Sequence, residues 1–457
     1  MRRLYRVLFL GLLVLASGIG AHFWVLPLGT APNPEVRPIN LNLTARDRVL
    51  IFAPHPDDET LGAGGLIQRA VAQGAKIKVV FFTCGDAFRY AAQRRLRVLK
   101  TTPSTMRAFG RLRQKEALAA LSVLGVPSEA VVFLGFPDRG LAALWQDYWS
   151  SARPYRSPYT GVTASPYGTG PAFATVYSGQ ALLASMEELI RSENPTVLVF
   201  PSPHEGHPDH WAAGAFVSFA LEKLKGDRSW HGRPRVYTYL VHYSNWPRPW
   251  GADLARNLEP PPPIAREGLW LRLDLSWPER AKKLNAILKY KSQVAVMRGF
   301  LTSFARASEL YWAYPAAEVL NTDAGGAGQK TLAVDPAGDS IIDRLERDAD
   351  IVQLDGALDG QDLKLWLRLR GLVKKELSYR LEVVALAQTE PIRRRVELRY
   401  PEDAGQPGTA GQAEGNAVVF TIPRSVLGDA AQVFIAAETH QGKVRADRLP
   451  QVRVVLK

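Results

Sequence analysis

The chain has 457 residues, a single cysteine and a formal net charge of +13. One cysteine excludes an intramolecular disulfide, and the length suggests roughly two or three domains. Excess positive charge favours anionic partners, but the basic residues are scattered and form no nucleic-acid-binding module, so nucleic acid is not expected as a partner.

Arg2, Arg3 and Arg6 precede an apolar stretch, Val7 to Leu28, in which His22 is the only ionisable side chain. Its length of about 22 residues suffices to span a bilayer. Residues 1–29 are therefore expected to be an uncleaved single-pass membrane anchor. The arginines would stay inside, placing the rest on the extracytoplasmic side. The rival reading is a signal peptide cut near Ala16 to Ala21, which gives a secreted protein. Residues 30–44 read as a tether.

Val49 to Ala53 is an apolar run that ends abruptly in His55-Pro56-Asp57-Asp58-Glu59. A helix is expected from about Thr60 to Gln73, so the stretch reads as buried strand, polar loop and helix. Packing an imidazole and several carboxylates into five residues is costly unless a metal, a substrate or solvent uses the charge. Gly62, Gly64 and Gly65 fit close helix–strand packing better than nucleotide binding, since no GxGxxG is present. Lys76 to Thr83 is a second strand. Cys84 follows it and reads as a small buried residue, with no paired histidine near it in sequence.

Met106 to Leu124 has helical spacing, and Val131 to Leu134 is a third strand. Trp145 to Ser178 is rich in Tyr, Pro, Ser and Gly and reads as a long loop that could cover a site. A helix from Gly179 to Ser192 leads to the strand Thr196 to Phe200. That strand ends in a second polar cluster, His204-Glu205-Gly206-His207-Pro208-Asp209-His210. A helix follows from Trp211 to Lys225, then strands at Arg235 to Val241 and Leu269 to Leu275. Pro278 to Met297 reads as one helix. The alternation implies a doubly wound, mostly parallel Rossmann-like α/β sheet. The two polar clusters hold four of the chain's eight histidines. Both clusters lie past the C-terminal ends of strands, where such sheets bind ligands.

From about Lys330 the pattern changes to short alternating runs, among them Leu363 to Leu369, Tyr379 to Val384, Ala417 to Ile422 and Gln432 to Ala436. These read as an antiparallel β-sandwich. The expected domains are 45–321 (α/β), 322–330 (linker) and 331–457 (β-sandwich).

By chemistry alone, Asp57, Asp58, Glu59, His204, His207 and Asp209 all qualify as metal ligands beside His55 and His210. The imidazoles argue for zinc or iron(II), and an oxygen-rich site for magnesium or manganese stays open. The segments Ala53 to Glu59 and His207 to His210 resemble the LmbE/PIG-L family of zinc-dependent N-acetylglucosaminyl deacetylases. Arg113-Gln114-Lys115-Glu116, Leu124-Gly125-Val126, Leu134 to Asp138 and Tyr290-Lys291-Ser292-Gln293 extend that resemblance over roughly Arg48 to Asn321.

The resemblance implies a single zinc ion, or iron(II) or another divalent metal, held by His55, Asp58 and His210. It makes Asp57 the general base, and His207, with Asp209 orienting it, the donor to the oxyanion. It places Arg113 and Asp138 against substrate hydroxyls. The implied substrate is an N-acetylated, GlcNAc-containing glycan, glycolipid or glycoconjugate, polymeric or lipid-linked. The alternatives are a zinc amidase acting on another sugar conjugate and a non-catalytic glycan-binding protein.

Overall fold

The computed structural model describes residues 35–167, 175–321, 328–338, 346–359, 362–387, 389, 391–401 and 408–457. One correction concerns localisation. The anchor expected at Val7 to Leu28 lies outside the described residues, and among the described residues no helix is long and apolar enough to cross a membrane. The membrane-anchored, extracytoplasmic placement is therefore withdrawn. Residues 322–327 of the expected linker also lie outside the described residues.

The N-terminal half is an α/β layer structure. In chain order it runs β1 (Val36–Pro38), β2 (Arg48–Ala53), α1 (Asp58–Ala72), β3 (Lys76–Thr83), α2 (Arg89–Leu96), α3 (Pro103–Leu124), β4 (Val131–Phe136), α4 (Leu141–Gln146), α5 (Gly179–Glu193), β5 (Val197–Pro201), α6 (Pro208–Gly226), β6 (Arg235–Tyr239), β7 (Trp270–Asp274), α7 (Trp277–Ile287), α8 (Lys291–Thr302) and β8 (Ser308–Ala313). The eight strands form one sheet in the order β1-β7-β8-β6-β5-β2-β3-β4. All neighbours are parallel except where β8 meets β6 and β7.

The central strands are apolar throughout because both of their faces are covered. Val49, Ile51 and Ala53 of β2 face one core, which also receives Val197 and Val199 of β5. Leu50 and Phe52 face the other, together with Leu198 and Phe200. The glycines of α1 allow close approach, since a Cβ on Gly62 would stand 2.4 Å from the Tyr239 ring.

One expectation changes here. The helix expected from Pro278 to Met297 is two helices, broken around Leu288 to Tyr290. The break points Tyr290 at α1 and Ser292 at α3, where Glu59 and Glu116 accept their hydroxyls. Strand β8, which was not among the expected elements, carries buried Glu309 ahead of its apolar run Leu310 to Ala313. That carboxylate accepts from Lys283 Nζ at 2.6 Å and from the Gly65 and Leu66 amides at 2.6 and 3.1 Å. The described part of the Trp145 to Ser178 segment is pinned by an Ala164–Val176 bridge and by Tyr177 Oη, which donates to the Gly135 carbonyl at 2.9 Å.

The C-terminal region holds two five-stranded sheets. One has the order β10 (Lys330–Val334), β11 (Ile351–Asp359), β12 (Asp362–Leu369), β16 (Ala417–Pro423), β15 (Ala410–Glu414). The other has the order β14 (Arg393–Tyr400), β13 (Ser378–Leu386), β17 (Gln432–Gln441), β18 (Val444–Leu456), β9 (Glu318–Leu320). Pairing is antiparallel except between β9 and β18. Leu365 and Phe420 of the first sheet share a core with Leu381 and Ile435 of the second. The second sheet's other face meets α6, where Phe434 lies 5.3 Å from Phe219, centroid to centroid.

Candidate active site

Strand β2 delivers the first polar loop. The backbone amide of His55 donates to Asp58 Oδ2 at 2.9 Å, and that of Asp57 to Glu59 Oε2 at 3.1 Å. The helix being entered thus fixes the loop that enters it. Asp57 takes φ 133° and ψ −30°, a conformation that costs a non-glycine residue about 1–3 kcal/mol and persists only when its surroundings enforce it. Glu59 is buried beneath the loop, and Thr60 Oγ1 and Tyr290 Oη also donate to it. Burial pushes its carboxyl up to about 7, against those donors.

Strand β5 delivers the second cluster, and His207 caps α6. Its Nδ1 accepts the Asp209 amide at 3.2 Å. Glu205 is held by the Val241 and His242 amides at 2.6 and 2.8 Å, so the loop after β6 is tied to the same cluster.

The two clusters meet. His55 Nδ1 and His210 Nε2 lie 3.2 Å apart. Asp58 Oδ2 lies 3.3 Å from the first and 3.1 Å from the second. All three side chains are buried. The outer nitrogens of both rings face carboxylates. His55 Nε2 is 3.2 Å from Asp138 Oδ1 and 3.2 Å from Asp209 Oδ2, and His210 Nδ1 is 3.4 Å from Glu205 Oε1. Those carboxylates favour the ring protons on the outer nitrogens, which turns both inner lone pairs toward the Asp58 oxygen.

Three lone pairs converging at such spacing need a cation or protons between them. Zinc bonds of about 2.0–2.1 Å in tetrahedral geometry require ligand–ligand edges of about 3.3 Å, so the residues fit a divalent metal. Protons compete for the same lone pairs. His210 is pushed up to about 9, burial opposing the shift and Asp58 and Glu205 driving it. Asp58 is held well below the usual carboxylate range, against burial, by His210 and His55.

Asp57 flanks this triangle. Its Oδ2 accepts from Arg113 Nη2 at 3.1 Å. Arg113 is buried rather than on the surface, and it also donates to the carbonyls of Pro56 and Gly85. A Cβ on Gly85 would stand 1.9 Å from the guanidinium, so only glycine lets the arginine cross there. Burial pushes the Asp57 carboxyl up to about 8, and Arg113 partly offsets it. Asp138 also accepts the Ala87 amide at 2.6 Å. The Asp209 carboxylate points away from His207, to the amides of Arg139 and Leu141 at 2.6 and 3.0 Å and to His55. It is the Asp209 backbone amide, not the carboxylate, that orients His207.

His242 joins the site without any sequence motif marking it. Its ring centroid lies 4.7 Å from that of His210 and 5.4 Å from that of His207. Further donor groups, His55-His207-His210 and Asp58-His210-His242, are within ligating reach. Burial, with the neighbouring imidazolium charges, pushes His207 down to about 2 and His242 down to about 3. His204 stands apart against Trp312, ring centroids 4.7 Å apart. The only signal for His242 was its position past the end of β6.

A family model described as "GlcNAc-PI de-N-acetylase" (PIG-L) matches residues 50–221. Those residues form a PIG-L domain. A 1D-myo-inositol 2-acetamido-2-deoxy-alpha-D-glucopyranoside deacetylase of Mycobacterium sp. (strain KMS) is 31% identical over 182 residues, 39% of this chain and 51% of that relative. An enzyme of the same description from Saccharopolyspora erythraea is 32% identical over 186 residues, covering 40% and 56%. The chain thus spans about half the length of the curated relatives it matches. Among solved structures, the N,N'-diacetylchitobiose deacetylase from Pyrococcus horikoshii aligns over 59% of this chain and 84% of its own, at 18% identity and a TM-score of 0.36. Both polar clusters of the site lie inside the PIG-L domain, whereas His242, Tyr290 and the two C-terminal sheets lie beyond it.

Proposed function

We propose that this chain is a zinc-dependent N-deacetylase that removes the acetyl group from a GlcNAc-containing glycan, glycolipid or glycoconjugate. The observation that carries this is the buried triangle of His55 Nδ1, Asp58 Oδ2 and His210 Nε2, with edges of 3.1–3.3 Å. The printed descriptions of the relatives, which are deacetylases of acetamido sugars, support the substrate class. In this reading the catalytic domain is the expected 45–321 extended by β1, which pairs with β7, and without β9, which pairs with β18 and joins residues 331–457 in a β-sandwich around their shared core.

His55, Asp58 and His210 would hold the ion, which supplies a Lewis acid for the acetamide carbonyl and lowers the pKa of water. Asp57 accepts the proton of the attacking water and returns it to the departing amine. Arg113 aims that carboxylate and favours its charged form, against the burial that pushes it up. His207 is a donor rather than a ligand. Its Nδ1 accepts the Asp209 amide, so the neutral ring carries its proton on Nε2 and can donate to the developing oxyanion. Asp138 and Asp209 act through His55, as Glu205 does through His210.

The test is acetate release by the full chain, loaded with zinc and offered N-acetylglucosamine glycosides and oligomers, with Asp57→Asn as control. Release that vanishes in the control supports the reading. No release from a folded, zinc-loaded protein across the panel overturns it.

A further inference from the structure

The sheet that docks on the PIG-L domain presents two kinds of surface to it. Val384 and Phe434 are apolar and pack into the core around α6. A few residues along, the same strand faces become charged and are left uncovered. Between them and the first turn of α6 lies a cavity of about 360 Å³, lined by Arg380, Arg399, Arg445, Arg448, Pro208 and Trp211 among others. Its size falls within the roughly 300–1,000 Å³ of ligand pockets.

Five arginines line this cavity against four acids, Asp147, Glu382, Glu397 and Glu438, which leaves one positive charge over. Arg380 and Arg399 are direct cross-strand partners on β13 and β14, a juxtaposition that like charges disfavour. Arg399 is paired with Glu397, Nη2 to Oε1 at 2.6 Å. Arg395 is paired with Glu382 and Glu397. Glu438 lies opposite Arg380 in register on β17, but its carboxylate meets His440 at 3.0 Å and Arg445 at 3.4 Å. Arg380 forms no ion pair among the described residues, and its Nε is buried without a hydrogen-bond partner. A buried donor left unmade is costly, and an oxyanion is the partner whose geometry matches a guanidinium. Pro208 and Trp211 belong to the helical turn that carries Asp209 and His210, so the cavity adjoins the helix start that enters the metal cluster.

We propose that this cavity is a subsite for an acidic sugar, with Arg380 binding the oxyanion of a residue that neighbours the acetamido sugar in the same glycan. The proposal rests on the deacetylase reading for its substrate, but binding tests it independently. Two hexasaccharide probes separate the contributions. Hyaluronan hexasaccharide carries both N-acetylglucosamine and carboxylates, whereas chitohexaose carries only the former. Titration calorimetry on the zinc-loaded full chain should show about tenfold tighter binding of the acidic probe, the equivalent of one charge-assisted hydrogen-bond set. Arg380→Gln should reduce that preference to within about twofold, and Arg380→Lys, which keeps the charge, should retain part of it. No preference in the wild type, or an undiminished one in a folded Arg380→Gln protein, overturns the subsite. Acetate release from chitohexaose without a binding preference would refute the subsite and leave the deacetylase reading standing. A preference that follows Arg380, without acetate release from either probe, would do the reverse.

Discussion

Asp57 allows the sharpest separation of chemistry from architecture, because three substitutions remove its carboxylate with different structural consequences. In Asp57→Asn the side-chain oxygen still accepts from Arg113 Nη2, which stands 3.1 Å from the carboxylate now. Asparagine also tolerates positive φ. The protein should fold and bind metal while acetate release falls by about 10²–10⁴, the range for loss of a general base. Asp57→Ala removes the counter-charge of a buried arginine, and breaking such a pair costs about 3–5 kcal/mol. The carbonyls of Pro56 and Gly85, which Arg113 also reaches, place the expected cost at the lower end. Asp57→Gly loses the same pair but relaxes the backbone at φ 133°. Relief of about 1–3 kcal/mol, less roughly 0.4–1 kcal/mol for the freer unfolded chain, leaves glycine level with alanine at worst and ahead by about 2.6 kcal/mol at best. Urea unfolding of the three variants, beside their turnover, checks both halves. Full turnover in Asp57→Asn would eliminate the base. An alanine variant more stable than the glycine variant would show that the backbone at residue 57 is not strained.

Other consequences are equally measurable. Chelation should bring acetate release to background, and zinc added back at a thousandfold excess over its Kd should stabilise the fold by about 4 kcal/mol. A folded His210→Ala protein that still binds one zinc per chain would remove that residue from the site. Glu205→Gln should weaken metal binding by about 10–100-fold in competition with a chelator, because its carboxylate backs His210 Nδ1 at 3.4 Å. Unchanged affinity would dissolve that pairing. Phe434→Ala, which empties a fully buried position against Phe219, should cost about 3–5 kcal/mol in urea unfolding. A loss below about 1 kcal/mol would mean that the sheet does not depend on this contact.

Much of this arrangement was legible because local chemistry and global position agree. Val49 to Ala53 and the run ending at Phe200 are continuous apolar stretches since their strands are covered on both faces. The abrupt polar clusters after them marked the sheet edge where the site lies. What escaped depended on partners remote in sequence. Glu309 is buried inside β8, and Lys283 neutralises it from another element. The onset of α6 was placed at Trp211, but His207 caps it and the helix starts at Pro208. The resemblance has Asp209 orienting His207, which its backbone amide does and its carboxylate does not. The first turn of α6 instead directs that carboxylate toward the loop after β4 and His55. His242 had no neighbouring motif at all, only the loop after β6 to place it.

The two halves of the chain meet on the element that the chemistry most depends on. The start of α6 supplies His207, Asp209 and His210, and its body is buried almost throughout. Part of that cover comes from the C-terminal sheets. Arg448 lies over the Trp211 ring at 4.5 Å and donates to the Glu205 carbonyl at 3.2 Å. Arg453 pairs with Glu222 and lies 4.1 Å over the Tyr314 ring. Arg393 lies 4.0 Å over the Trp149 ring and donates to the Trp145 carbonyl at 2.6 Å. Deleting residues 331–457 would expose Trp211 and Phe219 on the helix that positions His210, and would remove the donor to Glu205. Such a deletion therefore tests the scaffold and the site together. Point substitutions on the seam, of which Arg380→Gln and Phe434→Ala are opposite kinds, can separate ligand recognition from support of the helix.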